Sequence, residues 1–239
     1  MSGTFAEAWT MASTVDGWLT EGQGRALFEA GRRLLGGTTA VEIWSHRGKS
    51  AILIASGLPE GGRLVAVDPF DNPRWGGGPE SLAAFEANIA RAGLTDRIDL
   101  FRGISVEASS TWTGGPVGFC WVDGAHDEAS TLADFDGWLP HMARGGELYV
   151  HDAFSAIGTT RAVLRRFLWS KHVRYTGCER TLVKFRVEPT TFTERVRSAV
   201  GLLRRLPFFA RMLAIKLARR RGKKRLEGWL MTRPNEPLI

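Results

Sequence analysis

The stretch that decides the fold runs from Gly118 to Phe154 and reads GFCWVDGAHDEASTLADFDGWLPHMARGGELYVHDAF. Two short apolar runs within it, Phe119–Val122 and Leu148–Val150, are typical of buried parallel strands. The segment between them has apolar residues at helical spacing and is long enough for a crossover helix. Because parallel strands joined in this way end at one edge of a sheet, the pattern predicts an α/β fold with polar residues gathered at that edge.

Four polar side chains follow these two strands. They are Asp123, His126, His151 and Asp152. Open α/β sheets bind their ligands at this edge, so two carboxylates and two imidazoles there predict a reaction site. A cap or turn role is the alternative for any one of them, and it is the role that we assign to Asp134 and Asp136.

Two further stretches complete a recognisable pattern, VEIWSHRGKS at residues 41–50 and RLVAVDPFD at residues 63–71. With the segment above, they resemble the class I S-adenosylmethionine-dependent methyltransferases. Within that class the chain is most similar to methyltransferase family 24, which includes metal-dependent sugar and macrolide O-methyltransferases. The resemblance runs from about Asp16 to Val187. It implies a doubly wound, mostly parallel, seven-stranded Rossmann-like sheet whose last strand is antiparallel.

The loop after the first strand predicts a cofactor site. Gly48 allows close approach of the backbone to a ligand, and the helix that follows offers unpaired N–H groups to a carboxylate. Asp68, at the end of the second strand, can bind both hydroxyls of a ribose, although a turn at Asp-Pro is the alternative. The resemblance implies that the ligand is S-adenosylmethionine, bound through Glu42, Ser45, Gly48, Ser50, Asp68, Gly103, Ser105 and Asp123.

Two details of this loop need separate comment. Family members usually have glycine where Trp44 stands, so the indole either crowds the cofactor or points into a neighbouring layer. The string Gly48-Lys49-Ser50 also invites a P-loop interpretation, but the first glycine of that motif is absent upstream.

Methyl transfer to a hydroxyl group requires a base or a divalent metal, because an aliphatic hydroxyl is a poor acid. The resemblance implies a metal site at Asp123, His151 and Asp152, most simply for Mg²⁺, although the histidine could favour another metal or a metal-free site. His126 stands where the catechol-type relatives carry a catalytic lysine. We therefore predict His126 as the general base, with His151 as the other candidate.

The positive charge of the chain is concentrated near its end. The total charge is +7, but residues 195–239 hold thirteen Lys and Arg against two acids, so the remainder carries −4. We predict a methyltransferase domain over residues 1–188 and a basic helical tail over 189–239. Residues 193–206 are amphipathic, Pro207 interrupts the pattern, and an apolar stretch then precedes the basic cluster of residues 218–225.

Such a tail is typical of a segment that lies on an anionic membrane surface, here over residues 193–225. Packing in a homodimer is the alternative, and nucleic acid is unlikely because few aromatic residues accompany the charges. The two cysteines give no disulfide framework, and no run reaches eighteen apolar residues. These features predict a cytoplasmic protein, with the inner face of the membrane as a possible site of attachment.

The sequence thus predicts an O-methyltransferase, Mg²⁺-assisted, that acts on a hydroxyl of a sugar, a glycolipid or a glycosylated metabolite. The alternatives are an RNA methyltransferase that uses the basic tail and a non-enzymatic membrane adaptor that keeps the fold. The loop from Asn72 to Glu80 carries no readable code for the acceptor.

Overall fold

A computed structural model describes residues 3–71 and 78–231, without the side chains of residues 227, 228 and 230. The strands of the described residues are β1 (Thr39–Ile43), β2 (Leu64–Val67), β3 (Ile98–Phe101), β4 (Val117–Val122), β5 (Met142–Val150), β6 (Val173–Glu179) and β7 (Leu182–Val187). Their α-helices are α1 (Phe5–Ser13), α2 (Glu21–Arg32), α3 (Lys49–Gly57), α4 (Pro79–Arg91), α5 (Ser105–Ser110), α6 (Glu128–Trp138), α7 (Ile157–Phe167), α8 (Phe192–Leu203), α9 (Leu206–Arg220) and α10 (Lys224–Met231).

The strands form one sheet in the order β3-β2-β1-β4-β5-β7-β6. Strands β1 to β5 are parallel, and β7 is antiparallel to both of its neighbours. This is the doubly wound, mostly parallel arrangement that the sequence predicted, and the prediction is confirmed.

The register of the sheet brings the strand ends into one row. Ile43 pairs with Val67 on one side and with Val122 on the other, and Val122 pairs with Val150. The residues that follow these four positions therefore leave the sheet together at its carboxyl edge. This edge is where the sequence predicted the reaction site.

Helices cover both faces of the sheet and create two hydrophobic cores. On β4 the side chains alternate, so that Phe119 and Trp121 belong to one core and Cys120 and Val122 to the other. A strand that is buried on both faces reads as a continuous apolar run, which is what the sequence displays here.

The described part of the tail, up to residue 231, folds as three helices, and α8 packs against the sheet. Leu202 is fully buried in the second core, and the backbone N–H of Tyr175 on β6 donates to Ser198 Oγ at 3.2 Å. Pro207 lies in the first turn of α9, a position that tolerates proline. The interruption that the sequence predicted near Pro207 is the short gap between the end of α8 and the start of α9. The domain boundary at residue 188 stays a prediction. No helix of the described residues is long and apolar enough to cross a membrane.

Candidate active site

A cavity of about 600 Å³ opens at the carboxyl edge of the sheet. One side, here called the β1–β2 side, is formed by residues that follow β1 and β2, among them Ser45, Ser50 and Asp68. The opposite side, here called the α9 side, combines Asp152 and Ser155 after β5 with one face of α9. The polar residues after β4 lie between the two sides.

Four of the eight predicted cofactor residues line this cavity: Ser45, Ser50, Asp68 and Asp123. Glu42 is fully buried and does not line the cavity, but Ser45 and Ser50, which do, lie beside its carboxylate. Neither carboxylate oxygen of Glu42, nor Ser45 Oγ, has a hydrogen-bond partner among the described residues. Buried polar groups normally have partners, so this unpaired set indicates a place where a polar ligand group binds.

The surroundings of Glu42 also affect its charge. Burial raises the pKa of its carboxyl group to about 7, although Ser50 and Ser45 are near enough to favour the charged form. A cationic ligand group beside Glu42 would reverse this effect, because an opposite charge stabilises a buried carboxylate. S-Adenosylmethionine carries an ammonium group and therefore fits these residues.

Asp68 is held firmly in place at the end of β2. Its two oxygens accept backbone N–H bonds from His46 at 2.8 Å and from Phe70 at 2.7 Å. Burial raises the pKa of Asp68 above its usual value, even though these two donors favour its charged form. The residue thus has the turn role that the sequence left open, and it also faces the cavity, where each oxygen can accept a further hydrogen bond.

Trp44 lines the cavity with a left-handed backbone, at φ 69°. Glycine adopts this conformation without a penalty, so the glycine that the resemblance implies at this position would fit the same backbone. The indole lies beside Gly124, where an added Cβ would be 3.3 Å from its Cδ1 and Nε1 atoms. The tryptophan therefore keeps the loop conformation and fills space against the loop that follows β4.

Gly103 and Ser105 do not line the cavity. Ser105 is the first residue of α5, a short helix that the sequence did not predict, and its Oγ accepts a 2.9 Å hydrogen bond from Trp138 Nε1. Ser105 thus connects α5 to α6, and its predicted contact with the cofactor stays a prediction.

The four predicted reactive residues all line the cavity and lie close together. His151 Nδ1 is 2.9 Å from Asp123 Oδ1. His126 lies between the two carboxylates, with Nδ1 at 3.6 Å from Asp152 Oδ2 and Nε2 at 3.9 Å from Asp123 Oδ1. The structure therefore brings together the residues that the sequence singled out.

The two histidines differ in their surroundings. His151 is buried, which disfavours its charged form, but the charge of Asp123 and the hydrogen bond to it raise the pKa of His151 to about 9. A ring that is protonated at neutral pH accepts no further proton. The side chain of His126 is 27% exposed and opens to the cavity. This contrast favours His126 over His151 as the base.

The same contacts bear on the predicted metal site. Of the described residues, no three His, Cys, Asp or Glu side chains are arranged to hold a metal ion. The Nδ1 atom of His151 and one oxygen of Asp123 are already bonded to each other. In this arrangement His151 is engaged with Asp123, so the oxygen donors that remain for a Mg²⁺ ion are the carboxylates of Asp123 and Asp152. Water or substrate oxygens would have to complete the shell of the ion.

The loops that carry the reactive residues have unusual backbone conformations. His126 has φ 62° and Asp152 has φ 51°. Asp127 accepts a 2.9 Å bond from the N–H of Ser130 and so begins α6 directly after His126. A Cβ added to Gly158 on α7 would collide with the backbone of residues 126–128. Strained positions of this kind persist only where the surrounding structure fixes them, and they often mark reactive sites.

The cap or turn role assigned to Asp134 and Asp136 is wrong, because both residues lie inside α6. Asp134 is buried behind Gly124, where burial raises its pKa to about 6. Asp136 forms an ion pair with Arg166 on α7, with 3.2 Å between Oδ1 and Nε. Both residues therefore position α6.

Sequence reasoning missed two segments that line the cavity. The loop before α2 contributes Asp16 and Trp18, and Asp16 pairs with Arg47 after β1. Helix α9 contributes Met212, Lys216 and Arg219. Neither segment has a local motif, although the spacing of the three α9 residues, at i, i+4 and i+7, could have indicated one helix face.

Comparisons with known proteins agree with this arrangement. Residues 41–153 match the model of methyltransferase family 24, described as a methyltransferase domain. A catechol O-methyltransferase from Mycobacterium tuberculosis is 28% identical over 112 residues, which cover 47% of this chain and 46% of that protein. The chain thus spans about half the length of this curated relative.

Two solved structures are similar over most of their length. An O-methyltransferase from Bacillus cereus in complex with SAH has a TM-score of 0.57 and 19% identity, and the match covers 77% of this chain and 90% of that one. The O-methyltransferase TomG of tomaymycin synthesis from Streptomyces achromogenes, in complex with SAM, has a TM-score of 0.55 and 18% identity, covering 78% and 87%. Residues 41–153 are therefore a methyltransferase domain of family 24, within a chain that has the Rossmann-like methyltransferase fold.

Proposed function

We propose that the protein is an S-adenosylmethionine-dependent O-methyltransferase with His126 as its general base. The observation that carries this proposal is the cavity itself. Its β1–β2 side contains Ser45 and Ser50, which lie beside the buried carboxylate of Glu42, and the cluster of His126, Asp123 and Asp152 lines the same cavity. The names of the relatives, O-methyltransferases among them, support the reaction class.

The cofactor supplies a methyl group on a positively charged sulfur. Ser45, Ser50 and Asp68 would hold it, with Glu42 beside its ammonium group. The methyl carbon must lie in line between the acceptor oxygen and the sulfur, and binding both reactants in one cavity provides that alignment. Asp68 is well suited to fix the ribose, because two backbone bonds already immobilise its carboxylate.

His126 would take the proton of the acceptor hydroxyl as the oxygen–carbon bond forms. The carbon–sulfur bond breaks at the same time, and its electron pair stays on the sulfur as a neutral thioether. The carboxylates of Asp152 and Asp123, 3.6 and 3.9 Å from the ring, would stabilise the imidazolium that results. His151, bonded to Asp123, would hold that carboxylate in position.

We assign the proton transfer to His126 and derive no step from Mg²⁺, which the carboxylates of Asp123 and Asp152 would hold. The test is methyl transfer before and after exhaustive chelation. We expect unchanged activity in the chelated enzyme. Activity that disappears on chelation and returns only with added Mg²⁺ would restore the metal to Asp123 and Asp152.

For the acceptor, we keep the predicted class, a hydroxyl of a sugar, glycolipid or glycosylated metabolite. The relatives named as catechol O-methyltransferases make catechols the natural comparison. A panel of sugars, glycosides and catechols, incubated with methyl-labelled S-adenosylmethionine, would separate the two classes. Methylation of catechols alone would contradict the sugar proposal but not the O-methyltransferase proposal.

Contact of the tail with an anionic membrane also stays a proposal, in a changed form. The sequence assigned Phe208, Phe209, Met212, Leu213 and Ile215 to the membrane. Several of these side chains are engaged with the protein instead: Ile215 is buried, Phe209 packs on Phe154 and Met212 lines the cavity. Four exposed apolar residues form a stripe along α8: Phe192, Val196, Val200 and Leu203. The other large exposed apolar residues of the described tail are Leu206 and Leu217 on α9 and Leu226 and Trp229 on α10.

Liposome sedimentation tests this version. Val196→Ser and Val200→Ser together should weaken binding to anionic liposomes, whereas Met212→Ser should not. High salt should also weaken the binding of the full chain, because the basic residues of the tail supply part of it. A protein that does not sediment with anionic liposomes at low salt has no such surface.

A further inference from the structure

The face of α9 that lines the cavity has an unusual composition. Met212, Lys216 and Arg219 recur at i, i+4 and i+7 and all reach the cavity. The family match ends at residue 153, so this helix lies outside it. The α9 side of the cavity therefore carries two cationic side chains from a segment that is separate from the matched methyltransferase domain.

Contacts along its length fix α9 against the body of the protein. At its start, Arg205 Nη2 donates to the carbonyl of Arg180 at 2.9 Å, and Phe209 packs edge-on against Phe154 with ring centres 6.4 Å apart. Further along, Lys216 Nζ donates to the carbonyl oxygen of Ser155 at 2.7 Å. Ile215, on the same turn, is 5% exposed.

The bond to Ser155 sets the position of the Lys216 ammonium group. Ser155 follows Asp152 by three residues, and its hydroxyl donates to Asp152 Oδ1 at 2.7 Å. The ammonium group therefore lies beside the turn that carries Asp152, and its charge acts on that carboxylate. An ammonium group has three N–H donors, so two remain for a ligand after the bond to Ser155.

The order of the strands sets the distance between the α9 side, with the Lys216 ammonium group, and the position of Asp68. Strands β1 and β4 lie between β2, which carries Asp68, and β5, which precedes Asp152. With neighbouring strands about 4.8 Å apart, the α9 side lies roughly 14 Å from the ribose-binding position. A group bound there is remote from the ribose, and this distance favours the methyl acceptor as the reactant on the α9 side.

We propose that Lys216 and Arg219 select an acceptor that carries a negatively charged group, a carboxylate or a phosphate. This inference rests on the proposed function and specifies its substrate class. Met212 would contact the apolar part of the acceptor, and the reacting hydroxyl would face His126. Two cations on one helix face favour an anion because both charges act on the same bound group.

The proposal is tested by measuring the affinity of two small probes for the full chain, which is saturated with S-adenosylhomocysteine. The matched probes are methyl glucuronide, which carries a carboxylate, and methyl glucoside, which is neutral and otherwise has the same ring and hydroxyl groups. We expect the anionic probe to bind roughly 3- to 30-fold more tightly, as two partly solvated ion pairs allow. The double variant Lys216→Gln with Arg219→Gln should abolish this preference and leave affinity for the neutral probe unchanged.

A matched control removes the same charge elsewhere in the tail. Arg221 and Lys223 are exposed and do not line the cavity, so Arg221→Gln with Lys223→Gln should keep the preference. Equal affinity for both probes, no binding of the anionic probe, or a preference that survives in the Lys216 and Arg219 variant would overturn the proposal. The affinity of each protein for S-adenosylmethionine is measured first. If the double variant loses this affinity, the two cations bind the cofactor and not the acceptor. If the wild-type protein does not bind the cofactor, the proposed function itself is refuted.

Discussion

The β1–β2 side of the cavity comes from two neighbouring strands, whereas the α9 side combines segments that are far apart in the chain. On the first side, the carboxylate of Glu42 is fully buried and that of Asp68 nearly so, and their backbone surroundings are fixed by the sheet. On the second side, Lys216 and Arg219 are exposed residues on a helix added after the sheet. The fold therefore fixes the residues that we propose for the cofactor, while those that we propose for the acceptor depend on how a peripheral helix packs.

The reactive cluster between the two sides gives the largest expected effect. His126→Asn removes the base, and asparagine tolerates the left-handed backbone of this position better than alanine does. We expect kcat to fall by about 10²- to 10⁴-fold with cofactor affinity nearly unchanged. Steady-state kinetics and calorimetry measure the two quantities, and His172→Asn, at an exposed histidine, is the control. Turnover close to wild type would move the base to another group.

On the β1–β2 side, we expect the Glu42→Gln variant to bind the cofactor more weakly than the wild-type protein. This substitution keeps the shape of the side chain but removes the charge beside the cofactor's ammonium group. We expect S-adenosylmethionine to bind about 10- to 100-fold more weakly. Unchanged affinity would mean that the unpaired carboxylate does not face the cofactor.

The same variant predicts a pH effect on the protein without cofactor. Burial raises the pKa of Glu42 to about 7, so its charge destabilises the fold progressively as pH rises from about 4.5 to 7. Glu42→Gln should be no more stable than wild type below pH 4.5 and more stable by about 3 kcal/mol at pH 8. Denaturant unfolding at a series of pH values measures this difference, and a constant difference across the series would contradict the assigned cause.

The smallest expected effect is on the free energy of unfolding, and it comes from substitutions on α9. Phe209→Ala removes an aromatic contact with Phe154 and should lower the free energy of unfolding by about 2 kcal/mol, because the ring is only partly buried. Leu217→Ala, on the exposed side of the same helix, should change it by less than about 0.5 kcal/mol. Equal effects of the two variants would mean that α9 does not pack on the body of the protein.

Much of the sheet edge was predictable from the sequence. Short apolar runs followed by Asp68, Asp123 and His151 identified the strand ends, because a parallel strand buried on both faces leaves a clear signal. The closing hairpin was also predicted. The short helix α5 was missed, since six residues with three serines have little helical periodicity.

The α9 side could not be predicted in the same way. Its helix was expected, but its apolar residues were assigned to a membrane, because an apolar face beside basic residues has the same pattern whether it contacts lipid or protein. The contact between Lys216 and Ser155 joins residues that are 61 positions apart, and no local pattern indicates such a pair. The hydrogen bond of His151 to Asp123 was likewise invisible, which is why both histidines remained candidates for the base.

Titration calorimetry with S-adenosylmethionine tests the central claim most directly, namely that one cavity binds this cofactor on its β1–β2 side. We predict that the full chain binds the cofactor at a single site, that Asp68→Asn weakens binding at least tenfold, and that Lys216→Gln leaves it unchanged. A folded protein that releases or absorbs no heat at several temperatures and shows no binding by equilibrium dialysis would contradict the account.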